Sequence, residues 1–174
     1  MANQSAKPNS LVLWMQVGSI APYHSVGIKT HRSKFGPKTS IKRSTSLGLA
    51  GPLPVPYKKR HEGVLTVRAD EPHPKDFEPG AVGFVMATNP SIDLVIHVEP
   101  ASFGPIWEFA LSGLLTHVRF LLVDPNVRLP AVTDAAFYTE SGYRDELAFR
   151  AELDAKAARP KHNRPKAQPI AGAQ

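Results

Sequence analysis

Cysteine is absent from the chain, and with it disulfides, thiolate metal sites and cysteine nucleophiles. That usage fits a reducing compartment, so a cytoplasmic location is the expectation. Long apolar runs are missing too. No stretch reaches the roughly 18 uninterrupted apolar residues a spanning helix needs, so no membrane partner is expected. No Walker loop, dinucleotide fingerprint, G-x-S-x-G elbow or S-x-x-K motif occurs. The common signatures of nucleotide-dependent and serine-nucleophile enzymes are therefore lacking, and the reading leans away from an enzyme and from any cofactor.

The absence that organises the molecule is one of charge. No acidic residue precedes Glu62, while ten Lys and Arg stand in residues 1–61. From Glu62 to Asp154 fifteen acids face six cations, and five more cations follow Asp154. The net charge of +6 thus hides two cationic regions flanking an anionic one. The corresponding division is a basic, Pro/Ser-rich N-terminal region (1–61), an acidic α+β domain (62–158) and a basic tail (159–174) expected to be disordered.

What is present reads as follows. Lys7 and the apolar segment 11–21 faintly resemble a secretory leader, but Gln16 and Gly18 interrupt it, and a first strand over 11–17 is preferred. Residues 19–56 lack sustained periodicity and are punctuated by Pro22, Pro37, Pro52, Pro54 and Pro56. So long a structureless loop is unusual in a compact domain, leaving either a mobile arm or an unseen strand near Val26–Ile28. Strands are expected at 63–69, 80–87, 92–99, 115–123 and 131–139, the third with Ile92, Leu94, Ile96 and Val98 on one face. A turn region surrounds Pro72 and Pro74.

Between the third and fourth of these strands the period changes. Ser102 can cap a helix, Phe103, Ile106, Trp107, Ala110 and Leu111 fall at helical spacing, and Gly113 suits the left-handed stop. A hairpin turning at Ser112-Gly113 is the competing reading. Residues 141–158 predict a second helix, with Glu146/Arg150 and Glu152/Lys156 at i,i+4 spacing. The fold class is therefore α+β: a strand-rich antiparallel sheet or sandwich-like domain with one short crossing helix and one C-terminal helix.

Three functional readings compete. In the leading one, a non-enzymatic binding or assembly protein engages an anionic partner, nucleic acid or an acidic protein surface, through its basic arms. Lys29, Arg32, Lys34, Lys38, Lys42 and Arg43 would make the main polyanion contacts, with Phe35 available for stacking. Lys58, Lys59 and Arg60 would add to them. In the second, His97, Glu99 and His117 converge from paired strands as a small enzyme or metal site, against the plainer view that they are polar residues on a wet sheet face. In the third, the basic arm pairs with the chain's own acidic domain or that of a second copy, giving a structural, self-associating protein. Trp14 and Trp107 are expected as core anchors.

Overall fold

The computed structural model describes residues 9–34, 36–69 and 80–158, with side chains described for all of these except 25–33 and 37–43. The turn region at Pro72 and Pro74, Phe35 and the basic tail lie outside the described residues. Eight strands and two helices follow in order: β1 (Ser10–Gln16), β2 (Ser19–Ser33), β3 (Gly36–Tyr57), β4 (Arg60–Arg68), β5 (Gly83–Ala87), β6 (Ile92–His97), α1 (Pro100–Leu111), β7 (His117–Val123), β8 (Ala131–Tyr138) and α2 (Glu140–Ala158). The strands form one sheet in the order β1-β7-β8-β5-β6-β4-β3-β2. Every neighbouring pair is antiparallel except β4 and β6. The α+β, strand-rich character expected from the periodicities is thus the observed one.

The sheet is rolled. Its first strand leads directly into its last through Val17 and Gly18. Val17 N–H donates to the Thr116 carbonyl and Gly18 N–H to the Ala50 carbonyl, each at 2.8 Å. The end of β1 therefore lies against β3, and a Cβ on Gly51 would run into the Gln16 carbonyl oxygen. Only glycine permits that approach.

Inside the roll, strand alternation delivers one apolar face per strand. Leu13 and Met15 of β1, Leu47 and Leu49 of β3, Leu65 and Val67 of β4, Val85 of β5, Leu94 and Ile96 of β6, and Val118, Phe120 and Leu122 of β7 form one buried cluster. Residues 44–57 thus share a core with the acidic region. The change of charge at residue 61 falls inside the β3–β4 hairpin and marks no break in packing.

Helix α1 carries the chain from β6 to β7, across β5 and β8. Twelve residues span about 18 Å, enough to cross three strand spacings of about 14 Å. Phe103 and Ala110 bury against the core, with Ile106, Trp107 and Phe109 packed beside them. The helix begins earlier than its sequence suggests. Glu99 is the N-cap residue without a side-chain cap bond, and Ser102 sits within the first turn. Pro100 accounts for this, since proline has no N–H to satisfy and its fixed φ suits the first helical position. Gly113, at φ 76°, ends the helix in the left-handed conformation.

Helix α2 is built differently, with no buried residue. It lies over the outer face of β7 and β8, held by Tyr143 and by ion pairs. Trp14 supports it there, 4.9 Å from the Tyr143 ring and 5.3 Å from Tyr138. Of the two tryptophans expected in the core, Trp107 packs onto it while Trp14 anchors α2 outside it, because Trp14 alternates with the buried Leu13 and Met15. No helix among the described residues is long and apolar enough to cross a membrane.

Candidate nucleic-acid interface

The long unpatterned stretch 19–56 is a β-hairpin. Strands β2 and β3 pair continuously from Ser19↔Ala50 to Ser33↔Gly36. The partner on the other side of β3 is shorter: β4 pairs with it only from Ser46↔Arg68 onward, with Ala69 N–H also donating to the Thr45 carbonyl. Beyond that point, among the described residues, β2 and β3 pair only with each other. Nine cross-strand pairs, from Ser25↔Ser44 to Ser33↔Gly36, make a two-stranded ribbon. At about 3.3 Å per residue it extends roughly 27 Å past the sheet. The reversal at its end includes exposed Lys34 and precedes Gly36, whose φ of 101° suits a tight turn.

Six of the nine residues singled out as polyanion contacts stand on this ribbon: Lys29, Arg32, Lys34, Lys38, Lys42 and Arg43. The register places Lys29↔Ser40, His31↔Lys38 and Gly27↔Lys42 on one set of alternate pairs, and Val26↔Arg43, Ile28↔Ile41 and Arg32↔Pro37 on the other. Residues 25–44 contain no Asp or Glu.

The remaining three stand elsewhere. Lys58, Lys59 and Arg60 form the turn between β3 and β4, fifteen residues along the strand from Arg43, or roughly 50 Å of extended chain. Their atoms are partly engaged in holding that turn. Lys58 Nζ donates to the Val127 carbonyl at 2.7 Å, and Arg60 Nε to the Thr88 carbonyl at 3.0 Å. Lys58 and Lys59 occupy left-handed conformations, φ 48° and 64°. The neighbouring Tyr57 hydroxyl, buried, donates to the Pro125 carbonyl at 2.5 Å, and burial pushes its pKa above the ordinary phenol value. The two basic groups that the sequence offered, the main contacts at 29–43 and the supplementary ones at 58–60, thus stand at opposite ends of β3.

The His97, Glu99 and His117 cluster does not assemble. His97 ends β6 and His117 begins β7, and β5 and β8 lie between those strands. Glu99 precedes α1. Among the described residues no group of three His, Asp or Glu side chains is placed to hold a metal ion. His117 instead belongs to the α2 packing. Its ring stacks on Tyr143 at 3.8 Å and 9°, and its Nδ1 lies 3.0 Å from Thr116 Oγ1 and 3.6 Å from a Glu140 carboxylate oxygen. Burial lowers its pKa below the ordinary histidine value, partly opposed by the Glu140 charge.

Beside it lies the charge network that sequence reasoning caught only in part. Arg119 donates to Glu146 at 2.9 Å and to Asp134 at 2.5 Å, and Glu146 also accepts from Arg150 at 2.8 Å. Only the Arg150 and Lys156 partners followed from i,i+4 spacing; the Arg119 links cross elements and leave no local pattern. Comparison with protein-family models, curated proteins and solved structures gives no match for this chain.

Proposed function

We propose that this chain is a non-enzymatic nucleic-acid-binding protein, and that the β2–β3 ribbon is its contact element. The observation that carries the reading is the ribbon itself: a two-stranded extension beyond the rolled sheet, with six Lys and Arg in residues 25–44 and no acid among them. Such an arm offers cations to phosphates at low geometric cost, with release of condensed counterions as the driving term. Four of the acids around α2 are already engaged. Asp134, Glu140, Glu146 and Glu152 already pair with Arg119, Arg144, Arg150 and Lys156 around α2, which weakens the reading in which the arm folds back on its own domain.

The test is charge reversal on the ribbon of the full chain, Lys38→Glu, Lys42→Glu and Arg43→Glu together. Binding of a labelled mixed-sequence oligonucleotide at low salt should fall at least about a hundredfold, since three phosphate contacts are lost and three repulsions gained. Undiminished binding would sink the proposal. Binding of polyglutamate in preference to the oligonucleotide would instead favour an acidic protein surface as partner.

A further inference from the structure

We infer that the ribbon enters the major groove of B-form duplex DNA and binds through phosphates on both groove walls, with little reading of base sequence. This rests on the nucleic-acid reading above and specifies its substrate.

Dimensions come first. Two paired strands are about 4.8 Å apart and a side-chain-bearing sheet is about 10 Å thick, so the ribbon suits a groove about 12 Å wide and 8.5 Å deep. The undeformed B-form minor groove, about 6 Å wide, takes a ribbon only at the cost of bending and widening the duplex. The A-form major groove of duplex RNA is deep and narrow, which excludes it. A single strand has no groove to fill, and its usual platform is a row of stacking aromatics. Among residues 25–44 only Phe35 is aromatic apart from histidine.

The distribution of cations agrees. Lys29, Lys38 and Lys42 stand on one set of alternate pairs, Arg32 and Arg43 on the other. A flat acidic surface would face one set. A groove presents phosphates on two walls and uses both. Composition speaks to specificity: residues 25–44 contain no Asn or Gln, the residues that bind adenine bidentately. Lys and Arg can also bind guanine, so affinity follows phosphate contacts more than sequence only to the extent that the two groove walls take up these six cations, as the placement on both sets of pairs favours.

The experiment uses the full chain and four probes: a 20-base-pair B-form DNA duplex, an RNA duplex of the same sequence, the single DNA strand, and a DNA duplex of shuffled sequence. The DNA duplex should bind at least about tenfold tighter than duplex RNA or the single strand, and the shuffled duplex about equally. With six cations engaged, the slope of log K against log salt should be near −5, about a thousandfold loss between 50 and 200 mM salt. Lys29→Glu with Lys42→Glu, and separately Arg32→Glu with Arg43→Glu, should each weaken duplex binding at least about tenfold and flatten the slope. Circular dichroism of both variants, unchanged, shows that the body remains folded. Equal affinity for RNA duplex or single strand would overturn groove insertion and leave the nucleic-acid reading intact. An effect confined to one pair of substitutions would overturn two-walled contact. Binding to none of the four probes would remove the underlying reading itself.

Discussion

The two ends of β3 carry three cations each, and the fold treats them in opposite ways. Lys38, Lys42 and Arg43 stand where β3 has one neighbouring strand among the described residues. Lys58, Lys59 and Arg60 form a turn bound down against the loops at residues 88 and 125–127. In sequence the second cluster is the denser and looks the better anion site. In the structure two of its three side chains donate to main-chain carbonyls. A basic run says little about partners until its surroundings show whether its donors are already engaged.

Between the two ends lies the joint that makes the difference, and breaking it should have the largest effect. Gly51 lets the end of β1 cross β3, closing the roll over Met15 and Leu49. Gly51→Ala forces a methyl group into the Gln16 carbonyl, and should lower stability by about 3 kcal/mol or more in urea unfolding. Charge reversal at Lys38, Lys42 and Arg43, where β3 pairs only with β2 among the described residues, should move the same transition by much less, about 1 kcal/mol at most. A Gly51→Ala protein of unchanged stability would mean the roll does not close there.

A smaller loss is expected at the bound-down end. Tyr57→Phe removes the hydroxyl that donates to the Pro125 carbonyl and leaves that buried acceptor unpaired, costing about 1–2 kcal/mol. Oligonucleotide binding should not change. A parallel loss of binding in Tyr57→Phe, with the body still folded, would show that the two ends of β3 are coupled after all.

The same contrast explains what could be read from the sequence. Most of strands β4 to β7 carry apolar residues at every second position, which marks them: Leu65 and Val67 of β4, Ile92, Leu94 and Ile96 of β6 and Val118, Phe120 and Leu122 of β7 are buried, though Val95 is buried as well. Helix α1 announces itself by a change of period and by Gly113. The ribbon has no such mark. Its only strand partners among the described residues are its own two strands, so its order comes from cross-strand main-chain bonds that any sequence can make. The prolines added to the concealment, yet four of the five occupy places where a sheet tolerates one. Pro22 lies on the edge strand β2, Pro37 near the ribbon's end, and Pro54 and Pro56 in the register break between Pro52 and Tyr57. Similarly, the failed convergence of His97 and His117 is a matter of strand order, which no local pattern encodes.

His117 gives the body of the fold a pH dependence of its own. Its folded pKa lies below the ordinary 6.5 because burial disfavours the imidazolium. As pH falls below about 6.5 the unfolded chain takes up a proton that the folded one resists, so stability should decline there and be flat above it. His117→Gln should remove that part of the slope when unfolding is followed between pH 5 and 7.5. Persistence of the full slope would assign it to other groups.

The smallest expected effect is the sharpest test of the contrast between the two clusters. Lys59 is held at φ 64°, a conformation costing a side chain about 1 kcal/mol, partly balanced in glycine by the entropy it loses on folding. Lys59→Gly should therefore raise stability slightly, by about 0.5 kcal/mol or less. It also deletes a cation from the cluster. Because that charge lies several screening lengths of about 8 Å from the ribbon along β3, oligonucleotide affinity at physiological salt should stay within about twofold. A tenfold loss would place the turn in the binding surface and make the two clusters one site; an unchanged affinity in a slightly more stable protein would show that even the cation of this turn that holds no carbonyl there, unlike Lys58 and Arg60, lies outside the binding surface.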